Sequence, residues 1–121
     1  MDRVKEASIR IARPEEYSTI VQELLRQYIA NRSQTDEVET QLIADTKHDH
    51  YQLVNVGWLN KRRIYGCVLH IDIKDDKVWI QHNGTERYVA EDLVALGIPK
   101  EQIILGFQSP YRRQFTEFGV N

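Results

Sequence analysis

Arg63-Ile64-Tyr65-Gly66-Cys67-Val68-Leu69-His70-Ile71-Asp72-Ile73-Lys74 is the longest β-like segment of the chain. Strict alternation puts Tyr65, Cys67, Leu69, Ile71 and Ile73 on one face, which reads as the apolar side. Ile64, Gly66, Val68, His70 and Asp72 take the other. On this reading Cys67 is a buried and inert thiol. Lys74-Asp75-Asp76-Lys77 is a short polar turn, and Val78–Gln81 answers it as a return strand, so the pair predicts a hairpin. Upstream, Glu39–Lys47 and Tyr51–Trp58 read as two further strands, and short polar links between them predict an antiparallel meander. Downstream, Ile103–Leu105 reads as an edge or buried strand.

Helices flank this sheet. Pro14 suits the first helical position, because its missing N–H would have no partner there. Glu15 and Glu16 place negative charge at the positive end of the dipole. Tyr17, Ile20, Val21, Leu24, Leu25, Tyr28 and Ile29 then recur at i, i+3, i+4 spacing, the strongest helical signal in the chain. Residues 31–38 break that period with polar turn-formers and read as a loop. A shorter helix is predicted over 88–96, closed by Gly97 as a left-handed cap and by Pro99. Ser109-Pro110 is a cap and first-position pair for a last helical turn carrying Arg112 and Arg113. The predicted architecture is α+β: an antiparallel β-sheet of about four to five strands packed with a long N-terminal helix, and a short second helix towards the C-terminal part. Residues 1–14 hold too few apolar side chains to separate strand from helix and read as an arm, leaving 15–121 as one domain.

Composition narrows the function. The chain has 121 residues and a formal net charge of −2, with 41% hydrophobic and 28% charged residues and one cysteine. That length suits one domain with its own core. A single cysteine excludes an internal disulfide framework and a cysteine-based zinc site. A domain built mainly to grip phosphates carries a basic excess that is missing here. No run approaches the ~18 apolar residues of a membrane span. The charged start Met1-Asp2-Arg3-Val4-Lys5-Glu6 has no apolar run behind it and does not read as a signal peptide. The expectation is a soluble protein in a reducing, cytoplasmic setting.

Four groups of residues carry potential chemistry. His70 and Asp72 share a strand face, and His82 or Glu86 from the neighbouring hairpin arm, with Gln81, would complete a polar cluster. The cluster reads as a partly solvated sheet face or a hydrogen-bonded network, with a metal site or an acid–base pair as the alternative. His48-Asp49-His50 would turn both imidazoles one way on a strand, but its place between two strands reads as an exposed turn. Arg62 and Arg63 enter the long strand after Lys61, and Arg112 and Arg113 lie near the C-terminus; with Trp58, Tyr65 and Tyr111 nearby they are candidate partner or DNA contacts. Trp58, Trp79, Tyr51, Tyr65 and Phe107 serve equally as core or as a protein–protein surface. The six glycines are too widely spaced for a phosphate-binding loop, and no nucleophile motif occurs, so no catalytic, cofactor-binding or metal residue is assigned.

Several unusual strings occur together in order. They are Leu53-Val54-Asn55-Val56-Gly57-Trp58, the run from Arg62 to Ile73, Val78-Trp79-Ile80-Gln81, Gly84-Thr85-Glu86, Gly97-Ile98-Pro99-Lys100, Ile104-Leu105-Gly106-Phe107 and Thr116-Glu117-Phe118. In this order and spacing the chain resembles the XisI family, the fdxN element excision controlling factors, over roughly residues 15–121. It departs from the family pattern in its Gly119-Val120-Asn121 ending, where an Ala-Val-Ala-type tail is usual, and in its extra N-terminal residues.

The resemblance implies an accessory role in the programmed excision of a DNA element in filamentous cyanobacteria, the recombinase being a different protein. It also implies an XisH-like companion protein, and it brings no catalytic residues or cofactor to transfer. The expected function is therefore a non-enzymatic regulator acting through protein contacts with an XisH-type partner and with itself, as a homodimer or higher oligomer. Direct DNA binding through Arg62, Arg63, Arg112 and Arg113 is the first alternative. A small metal-dependent hydrolase using His70 and Asp72, with His82, is the second.

Overall fold

The computed structural model describes residues 10–32 and 37–120. Half of the loop expected over 31–38, residues 33–36, thus lies outside the described residues, as do residues 1–9 of the expected arm and Asn121 of the tail.

A 3-10 turn, Pro14–Glu16, leads directly into helix α1, Tyr17–Asn31. The Glu16 carboxylate reaches back to accept the Arg13 backbone N–H at 2.8 Å, partnering a donor that the helix start leaves free. Tyr17, Val21, Leu24, Leu25 and Tyr28 form the buried stripe that the periodicity predicts. Strands β1 (Val38–Asp45), β2 (His50–Leu59), β3 (Arg62–Lys74) and β4 (Lys77–Asn83) then run as the expected antiparallel meander. Helix α2, Val89–Ala95, carries the chain to β5, Ile103–Leu105, which pairs with β4 in parallel. Among the described residues the sheet order is thus β1-β2-β3-β4-β5, all antiparallel except the last pair. A final turn, α3 (Pro110–Arg113), is capped by Ser109, whose Oγ accepts the Arg112 backbone N–H as its sequence predicts.

Helix α1 lies across β1, β2 and β3 and also meets α2. It closes a core of Tyr51, Leu53, Leu69, Ile71, Val78 and Ile80 from the sheet and Leu93, Ile98 and Ile103 from the α2–β5 region. Gly97 ends α2 at φ +109°, a conformation that L side chains rarely adopt, with Ile98 N–H bonded to Leu93 O and Gly97 N–H to Val94 O. Its carbonyl accepts the Ala12 N–H at 2.8 Å, and Ala12 is buried. Of the stretch expected as an arm, residues 10–13 therefore lie against the end of α2, and Arg10 pairs with Glu16 at 2.9 Å.

The expected facing of β3 needs a correction. Leu53 pairs with Leu69, but the next pair along is Val54 with Cys67, so Val68 has no partner of its own on β2. This β-bulge adds one residue and reverses the alternation on one side of it. Leu69 and Ile71 point into the core, whereas Tyr65 and Cys67 point out from the opposite face and are exposed. Cys67 is therefore not the buried thiol that strict alternation implies. A second bulge at Gln81 shifts the β3–β4 register between His70 and Ile71.

Candidate functional site

The sheet face turned away from α1 can be read row by row from the register. Asp45, His50, Asp72, Trp79 and Ile104 form one cross-strand row. Ile43, Gln52 and His70 form the next, followed by Gln41 with Val54 and Cys67, Glu39 with Val56 and Tyr65, and finally Trp58 with Arg63. The C-terminal segment covers the β4–β5 end of this face: Gly119 bridges to Ile104, which is fully buried, and the Arg113 guanidinium lies 5.1 Å from the Trp79 ring centroid. The β1–β3 part has no such cover among the described residues. There Trp58 is 55% exposed, Tyr65 72% and Ile43 47%.

At the boundary of the covered and bare parts lies a polar cluster. His50 Nδ1 and His70 Nε2 each sit 2.8 Å from the same Asp72 oxygen, Oδ1. Gln81 Nε2 donates to the other carboxylate oxygen at 3.2 Å, and the Gln52 amide lies 3.4 Å from His70 Nδ1. Strand geometry places these groups: His50 and Asp72 are directly paired across β2 and β3, and His70 is two residues from Asp72 on the same side. Partial burial works against charge on Asp72, but hydrogen bonds from His50 and His70 outweigh it and hold the carboxyl below its usual range. The Asp72 hydrogen bond in turn raises the His50 pKa.

The structure thus brings together His70, Asp72 and Gln81 of the expected cluster and adds His50 and Gln52. His82 pairs with His70 in the sheet register but is exposed and makes no contact with Asp72. Glu86 belongs elsewhere, because the β4–α2 loop carries it to the helix side of the sheet, where it lines a cleft. His48 and His50 do not act as a pair: His48 Nδ1 meets Asp45 in the β1–β2 turn at 2.9 Å, while His50 begins β2. Spacing along one strand finds His70 and Asp72, but His50 is found only by a pairing across 22 residues.

That cleft encloses about 800 Å³ between the end of α1 and the 84–87 loop. Several of its polar walls are already partnered. Arg32 donates to Thr40 and to Asn55 Oδ1 at 2.8 Å, Tyr28 donates to Asp92 at 2.5 Å, and Arg87 stacks over Tyr28 while meeting Asp92 at 3.3 Å.

The arginine candidates do not converge. Arg63 stacks on Trp58, 5.5 Å from its ring centroid, beside exposed Arg62 at the start of β3. Arg113 is held by the carbonyls of Leu105 and Gln108 and by Trp79, whose β3 partner is Asp72; Arg112 is exposed next to it. Nine residues of strand separate Arg63 from Asp72, roughly 30 Å at ~3.3 Å per residue, so the two pairs form no single basic patch.

These features define a small α+β protein with helices α1 and α2 on one sheet face and an opposite face, covered at its β4–β5 end by the C-terminal segment, that carries aromatic side chains and a two-histidine, one-aspartate cluster. The XisI protein family model matches residues 11–120, and the chain belongs to the XisI family. It is similar to a XisI-like protein from Anabaena variabilis ATCC 29413, with 49% identity, a TM-score of 0.84, and coverage of 89% of this chain and 99% of that one. It is also similar to the fdxN element excision controlling factor XisI from Anabaena variabilis ATCC 29413, with 32% identity, a TM-score of 0.76, and coverage of 89% and 98%. A comparison with curated proteins finds no match.

Proposed function

We propose that this chain is a non-enzymatic accessory protein in the control of excision of a DNA element, acting through contacts with an XisH-type protein and with a second copy of itself. The observation that carries this reading is the bare part of the sheet face. Ile43, Val54, Val56, Trp58 and Tyr65 form an apolar field there, with Trp58 and Tyr65 more than half exposed. Large aromatics that a monomer leaves in water are the residues that anchor protein interfaces. The net charge of −2 and the separation of the arginine pairs support contact with protein over contact with phosphates.

Light scattering of the chain alone, and a pull-down with an XisH-type protein, test the proposal. Association in either experiment that is lost in Trp58→Ser/Tyr65→Glu supports it. A 14 kDa species that captures no XisH-type protein at micromolar concentration overturns it. A gel shift that weakens steeply with salt and is lost in Arg62→Ala/Arg63→Ala would instead assign the role to direct DNA binding.

A further inference from the structure

His50, His70 and Asp72 present three ligand atoms on the sheet face, all within 4.8 Å of one another. From this convergence we propose that they form a binding site for one divalent first-row transition-metal ion of the zinc class. Two imidazole nitrogens and a carboxylate oxygen are the donors such ions favour over the all-oxygen sets of calcium and magnesium. The spacing is suitable. With bonds of about 2.0–2.2 Å, ligand atoms lie about 2.9 Å apart at right angles and about 3.4 Å apart at the tetrahedral angle. The two nitrogen-to-Oδ1 distances are 2.8 Å and the nitrogens lie within 4.8 Å of each other, so an ion enters by parting each nitrogen–oxygen pair slightly and drawing the two imidazoles together through side-chain rotation.

The surrounding groups have the arrangement that metal ligands need. Gln81 holds Asp72 by Oδ2, which leaves Oδ1 facing both imidazoles. Gln52 stands at the far nitrogen of His70. Its amide offers a donor in one orientation and an acceptor in the other. It therefore serves His70 when Nε2–H bonds Asp72, and again when Nε2 is the bare ligand and Nδ1 carries the proton. His50, Gln52, His70 and Asp72 stand on paired positions of β2 and β3, a rigid support, and Gln81 reaches in from the bulge of β4. His50 is exposed, so the ion has an entry path, and water completes its shell. The inference rests on these side chains and not on the role proposed above.

The test is calorimetric titration of the chelator-treated full chain with Zn²⁺ alone, with Co²⁺ absorption as a second readout. The expected result is one ion per chain, with a rise in Tm of at least about 5 °C at a hundredfold excess over Kd. His50→Ala and Asp72→Asn lose this binding and the Co²⁺ bands while keeping the native circular dichroism spectrum, and His48→Ala retains both. Absence of stoichiometric binding overturns the proposal. So does binding that survives His50→Ala and Asp72→Asn, or that is lost with His48→Ala alone.

Discussion

Tyr65 and Leu69 stand four residues apart on the same strand yet face opposite sides of the sheet, because Val68 bulges between them. One is 72% exposed and the other fully buried. Straight alternation treats them as equivalent, so their substitution energies measure the bulge. Tyr65→Ser is expected to change stability by less than about 0.5 kcal/mol. Leu69→Ala is expected to cost about 2–5 kcal/mol in urea unfolding. Similar costs at the two sites would show that Tyr65 is core.

The bulge also decides the chemistry of Cys67. Its Sγ lies on the bare face, 3.4 Å from the Leu69 carbonyl, and the residue is exposed. Native protein is expected to react with a disulfide reagent at one thiol per chain without denaturant, leaving Tm unchanged. A thiol that reacts only in denaturant, in protein that light scattering shows to be monomeric, would place it in the interior.

Gly97 joins the end of α2 to the N-terminal segment. A Cβ there would lie 2.6 Å from the Arg10 carbonyl oxygen, in a backbone conformation at φ +109°. Gly97→Ala is therefore expected to cost about 1–3 kcal/mol and to raise hydrogen exchange at Ala12, whose N–H bonds the Gly97 carbonyl. A variant as stable as the parent would remove that docking contact from the account.

Acid should loosen the same segment. The Arg10 guanidinium, helped by the Arg13 backbone N–H, holds the Glu16 carboxyl below its usual 4.5. A carboxyl lowered by folding contributes stability above its unfolded pKa, and that contribution is lost as pH falls through the folded value. Ala12 protection, corrected for intrinsic exchange, is expected to be flat above pH 5 and to fall below about 4.5. Glu16→Gln is expected to abolish the step. A step that persists in Glu16→Gln assigns it to another group.

Behind the cleft, Thr40 is the one buried polar residue among the described residues, and it donates to Asn55 Oδ1 at 2.7 Å. Asn55 Oδ1 also accepts from Arg32. Asn55→Ala removes the acceptor from both and is expected to cost about 1–3 kcal/mol by chemical denaturation, because Thr40 has little access to replacement water. A loss under about 0.5 kcal/mol would mean that solvent reaches the hydroxyl.

Much of the fold is legible because its signals are local. Pro14, the repeat from Tyr17 to Ile29, the polar turn at Lys74–Lys77 and the Gly97 cap each report on a few neighbouring residues, and each element stands where those signals put it. The parallel sense of β5 is not local, since three apolar residues carry no record of which neighbour they will join or from which side. The candidate site divides in the same way. His70 and Asp72 share a face by alternation alone, whereas Gln81 reaches Asp72 across the β3–β4 pairing and Glu86 is carried away by the loop that follows β4.

By itself the sequence determined the element types, the family strings and the near-neutral charge, all of which depend on residue identity and short-range spacing. Tertiary structure alone decided which faces those elements show. A bulge depends on how one strand registers against another, and Val68 is an ordinary strand residue until β2 leaves it unpaired. That single register shift turns Tyr65 and Cys67 outward. Strand pairing likewise brings His50 to Asp72 across 22 residues, a contact created by hydrogen bonding between backbones and unmarked by any local pattern.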